Sequence, residues 1–88
     1  MAISLAERTA QLDAEQRLLV KAEQDIEEGW KRIRNQEDCV RELMASGHDT
    51  RQAERLVSLL KQTLVEWERH RVLIEQRVEY LRQEVAAG

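Results

Sequence analysis

Ser46-Gly47-His48-Asp49-Thr50 is the one break in an 88-residue chain that contains no proline and carries apolar residues at helical spacing on both sides of it. Glycine has no Cβ and adopts the left-handed conformation that closes a helix. Asp49 or Thr50 suits the N-cap of a following helix, and Gln52, three residues after Asp49, makes an acidic variant of the capping box. Outward toward the N-terminus, Ser4-Leu5-Ala6-Glu7 reads as a second capping box, in which hydroxyl and carboxylate each serve the other residue's amide. The expectation is an all-α helical hairpin in one domain over 1–88: helix 1 over about 5–46, a turn at 47–49 and helix 2 over about 50–86. At ~1.5 Å per residue these helices are on the order of 60 and 55 Å long, so the molecule is a rod.

The seam between the helices is legible as two coiled-coil lanes. Helix 1 repeats every seven residues through Leu5, Leu12, Leu19, Ile26, Ile33 and Val40. Helix 2 alternates steps of four and three through Ala53, Val57, Leu60, Leu64, Trp67, Arg71, Ile74, Val78, Leu81 and Val85. Folding the chain about Gly47-His48 pairs Val40 with Val57, Ile33 with Leu64, Ile26 with Arg71, Leu19 with Val78 and Leu12 with Val85 in a single register. That register sets Trp30 level with Trp67. It also opposes Leu60 with Glu37, Ile74 with Glu23 and Leu81 with Gln16, which makes the second lane of helix 1 mostly polar.

Helix 2 has more apolar surface than one partner helix covers, because Leu56, Leu59, Val65, Val72, Leu73 and Tyr80 widen its stripe. Two long helices alone enclose little interior, and each fully buried Leu or Ile contributes only about 1.5–3 kcal/mol against the ordering of the backbone. The expectation is a homodimer forming an antiparallel four-helix bundle, with Leu56, Leu60, Leu64, Trp67, Ile74, Val78 and Leu81 as the self-association residues.

Composition narrows the partners. A formal charge of −3 gives no general electrostatic reason to bind nucleic acid or an anionic membrane. No apolar run approaches the ~18 residues of a membrane helix, and no leader-type segment opens the chain, so neither partner is expected and a cytoplasmic setting is. Cys39 is the lone cysteine, which excludes an internal disulfide and a cysteine-based metal site.

Candidate sites are few. Arg71 is the single charge in the helix 2 lane; its stem is expected to pack on an indole while its head reaches Glu27, Glu68 or Glu75, and such a residue can also fix register and oligomeric state. Trp30 and Trp67 are expected to form a core layer, with Gly29 leaving room for the Trp67 ring or for a helix of a second subunit. The alternative is a site for a small anion or other ligand inside the bundle, formed by Arg71 with Trp30 and Trp67. Residues 69–82 are locally basic, while 1–28 carry seven Asp and Glu against three Lys and Arg. Asp13-Arg17, Glu27-Lys31, Glu28-Arg32 and Glu37-Arg41 are spaced for ion pairs along that face. His48 and His70 stand too far apart to share a metal, and no nucleophile-base pair, phosphate-binding glycine loop or paired carboxylates occur at catalytic spacing. No catalytic residue, metal or cofactor is expected.

The stretch Ala22-Glu23, Ile26, Glu28-Gly29, Ile33, Gln36, Val40, Leu43, Gly47-His48-Asp49-Thr50, Ala53 and Leu56 resembles a group of short uncharacterised proteins from soil and plant-associated, rhizobial-type α-proteobacteria. The resemblance covers about half of the chain, and its most specific part is the Gly-His-Asp-Thr turn. It implies a bacterial source and carries over no site residue. Residues and resemblance together lead to the expectation of a non-enzymatic helical hairpin that dimerises and serves as an adaptor or regulatory module for a protein partner.

Overall fold

Each helix begins and ends where local chemistry stops the backbone ladder. The computed structural model describes residues 4–88, in which α1 (Leu5–Ala45) and α2 (Arg51–Ala87) lie antiparallel in a rod of 65 × 16 × 14 Å. At the start of α1, Ser4 is extended and its hydroxyl accepts from the Glu7 amide at 3.2 Å, one half of the expected capping box.

The turn satisfies the last carbonyls of α1 in a Schellman arrangement. Gly47 sits at φ +73°, its N–H donates to the Met44 carbonyl at 3.1 Å, and the His48 N–H donates to the Leu43 carbonyl at 2.9 Å. The start of α2 differs from expectation in one detail. Thr50 occupies the N-cap position without a side-chain cap bond, and Asp49 Oδ1 instead accepts from the Arg51 amide at 3.0 Å. The same carboxylate receives the Arg51 guanidinium at 2.8–3.2 Å, and this pairing holds the Asp49 carboxyl below its ordinary range and the Arg51 guanidinium above its own. A short Asx turn therefore replaces the Asp49–Gln52 box, because the helix starts one residue after Asp49's reach to its own neighbour is already closed.

The buried residues form one thin line along the seam: Ile26 and Ile33 of α1 with Leu64, Ile74, Val78 and Leu81 of α2. Ile33 and Leu64 belong to one cluster with Ile26 and the half-buried Leu60, as the expected register requires. Val40 and Val57, another expected layer, line one depression nearer the turn.

The second lane of α1 lies one residue earlier than expected. Arg8, Glu15, Ala22, Gly29, Gln36 and Leu43 are each half-buried, whereas Glu23 is exposed. Ala22, not Glu23, lines the groove beside Ile74, and Glu15 lines a depression beside Leu81, with Gln16 half-buried as well. Each member of this lane follows the first by three residues where the expected lane followed by four; both steps belong to a coiled-coil period, and the rotation of α1 against α2 selects the first.

Gly47 offers a clean measure of what the turn contributes, since a Cβ built there would meet nothing within 4 Å and only its backbone conformation is at stake. Gly47→Ala is expected to destabilise the hairpin by about 1–2 kcal/mol in urea unfolding at fixed protein concentration, and Gly47→Asn by distinctly less.

Candidate functional site

The phase of the seam decides what stands on either side of it. Along one flank, Leu18, Lys21, Ala22 and Asp25 of α1 and Trp67, His70 and Ile74 of α2 line an open, mainly apolar groove of about 240 Å³. Trp67 continues that groove into a smaller depression bounded by Gly29, Arg32, Leu60, Thr63 and Leu64. Beyond Ile74 the same flank carries Gln11, Glu15, Arg77 and Tyr80 beside Leu81.

Gly29 faces α2 at close range. A Cβ built on it would lie 2.9 Å from Leu64 Cδ1 and 3.6 Å from Trp67 Cζ3. The missing side chain admits both the buried leucine and the indole, which is the steric role expected for this glycine. Trp67 nevertheless remains 38% exposed and Trp30 43% exposed, so the tryptophans do not form the expected core layer. Trp30 follows Gly29 by one residue, and a helical turn of ~100° per residue carries it off the seam.

Arg71 is half-buried, and its Nε lies 3.3 Å from Glu75 Oε1, the last of the three carboxylates expected for it. That Nε is shielded from solvent without a well-formed hydrogen bond, so Glu75 neutralises the guanidinium more than it satisfies it. Neither Arg71 nor Trp30 lines the Trp67 groove. Arg71 and Trp67 stand one helical turn apart on α2, Arg71 engaged with Glu75 and Trp67 lining the groove, while Trp30 is an exposed indole next to Gly29.

Of the seven residues expected for self-association, Leu64, Ile74, Val78 and Leu81 are buried against α1 within the single hairpin, and Leu60 is half-buried there. Leu56 and Trp67 remain exposed. So do Leu59, Val65, Val72, Leu73 and Tyr80, at 44–61% of their surface.

Polar contacts across the seam gather where α1 has no apolar partner to offer. Glu15, with a side chain only 15% exposed, receives Arg77 Nη1 at 3.1 Å on one oxygen and leaves the other unbonded. Arg8 and Glu84 approach to 3.6 Å, and Lys61 and Glu37 to 3.7 Å. Among the expected pairs along α1, Asp13–Arg17 forms at 2.8 Å, whereas Arg41 turns to Asp38 because Glu37 is drawn across to Lys61. Glu15, Arg77 and the groove residues escape a reading that places the second lane one residue later; a three-residue step from Leu12 and Leu19 leads to Glu15 and Ala22, but spacing alone allows the four-residue step equally.

Among the described residues no group of three or more His, Cys, Asp or Glu is placed to hold a metal ion, and no helix is long and apolar enough to cross a membrane. Comparison with protein-family models, with curated proteins and with solved structures finds no match.

Two substitutions test this geometry. Gly29→Leu, which forces a side chain into the space of Leu64 and Trp67, is expected to lose about 1–3 kcal/mol in urea unfolding despite its better helix propensity. Arg71→Leu replaces a half-buried guanidinium in the seam by an apolar side chain and leaves Glu75, itself half exposed, in water; it is expected to raise the urea midpoint by the equivalent of up to about 1 kcal/mol.

Proposed function

We propose that the protein is a non-enzymatic helical hairpin that self-associates and offers a helical surface to a protein partner, as an adaptor or regulatory module. The observation that carries this reading is the surface left exposed once the hairpin has closed, together with the large apolar side chains of α2 that remain on it. The chain exposes 6817 Å², whereas a compact protein of its mass exposes about 5,400 Å². The difference is larger than the ~800 Å² each partner contributes to a standard protein–protein interface.

Six large side chains of α2 outside the seam are more than a third exposed; Leu56, Leu59, Leu73 and Tyr80 share one flank, Val65 and Val72 lie on the other, and exposed apolar surface of this kind marks interaction sites on small proteins. The groove beside this surface is mainly apolar, and its two formal charges, Lys21 and Asp25, pair with each other at 3.5 Å, which suits a helix side chain more than a charged ligand. A reduced, bacterial, cytoplasmic setting fits a chain whose one cysteine, Cys39, is unpaired and half-buried on α1.

Sedimentation equilibrium of the purified chain at micromolar concentration tests the proposal. The expected result is twice the chain mass of 10.3 kDa, with helical circular dichroism. A well-folded monomer would sink the self-association reading.

A further inference from the structure

Once the seam is removed from α2, a second lane pair with coiled-coil spacing remains on the helix. Leu56, Leu59, Thr63, Glu66, His70, Leu73, Arg77 and Tyr80 follow one another in steps of three and four, and every one of them is exposed. This face lies about 100° around the helix from the seam, the angle at which a further helix packs in a square bundle. It borders the groove lined by Trp67 and His70, so a helix laid on it also covers the open flank of the hairpin.

We infer that the occupant of this face is α2 of a second copy, running antiparallel about a twofold axis near residue 68, close to the middle of Arg51–Ala87. This inference rests on the self-association proposed above and specifies its geometry. A twofold at that level brings each lane of the face onto the other lane of its copy. Leu56 of one copy meets Tyr80 of the other, Leu59 meets the aliphatic stem of Arg77, Thr63 meets Leu73, and Glu66 meets His70. Nearly the whole of both helices overlaps.

The alternatives match residue types or overlap the helices less well. A parallel pairing in register opposes Glu66 with Glu66 and Arg77 with Arg77, like-charge contacts that the intrachain Glu66–Arg69 and Arg77–Glu15 pairs reduce without removing. Sliding the antiparallel pair by one heptad in one direction pairs Glu66 with Arg77 but sets Leu59 against Glu84; in the other it leaves Tyr80 beside the charged Asp49–Arg51 turn. The face supplied by α1 on this flank adds Leu18 to the contact, and its neighbours Lys21 and Asp25 are already engaged with each other. Leu64, Ile74, Val78 and Leu81 play no part in this contact, since α1 already covers them.

Disulfide trapping in a Cys39→Ser background tests the arrangement. Leu56→Cys and Tyr80→Cys proteins, mixed and oxidised, are expected to form a covalent heterodimer, while each protein alone does not, because positions 56 and 80 stand roughly 36 Å apart along the helix. Leu73→Glu, which leaves the intrachain seam intact, is expected to keep its helical circular dichroism and to weaken dimerisation roughly tenfold or more. Covalent dimers of Leu56→Cys alone would overturn the antiparallel pairing in favour of a parallel one. A parent protein that sediments as a dimer but yields no 56–80 disulfide, or whose Leu73→Glu variant dimerises unchanged, would overturn this geometry while leaving self-association in place. A monomeric parent protein overturns both.

Discussion

The close approach at Gly29, where Leu64 and the edge of the Trp67 ring enter the space a side chain would occupy, is the constraint on which the rest of the hairpin depends. Helices that meet at short range in the middle of their length have their register set there. Ile33 and Ile26 then close over Leu64, and the buried line continues through Ile74, Val78 and Leu81 toward the chain ends. The glycine carries a conformational penalty of about 1 kcal/mol within a helix. Its position against the best-buried part of the seam shows what offsets that penalty.

A seam this thin cannot do more than hold two helices together. α1 presents its apolar lane on a narrow front, backed by a second lane that includes Arg8, Glu15 and Gln36. The two charged ones meet α2 through the partly exposed ion pairs Arg8–Glu84 and Glu15–Arg77 rather than through packing, and pairs open to solvent on one side are worth only about 1 kcal/mol each. Helix 2 is therefore covered on one side only. Its remaining apolar residues face outward at a spacing that suits another helix, so the same imbalance that makes the hairpin slender makes its surface a candidate for assembly.

Much of the architecture was legible in the residues alone. The Ser4 cap, the left-handed Gly47 and the pairing of Ile33 with Leu64 all follow from spacing and residue type. The candidate site was less legible, and for a definite reason. A register counted in whole layers does not say whether the second lane stands three or four residues beyond the first, and that one-residue choice decides whether Ala22 or Glu23 lines the groove beside Ile74. The same choice carries Trp30 off the seam, although the layer count sets it level with Trp67.

The sequence by itself determined two long helices, their turn, their antiparallel sense and the surplus of apolar side chains on the second helix, because these depend on local backbone chemistry and on a period that repeats many times. Only the tertiary structure decided which flank of the seam is open, which apolar residues the hairpin consumes and which partner Arg71 takes. Those outcomes depend on the rotational phase of one helix against the other, a quantity set by the packing of Leu64 and Trp67 on Gly29 and not by the number of residues between them.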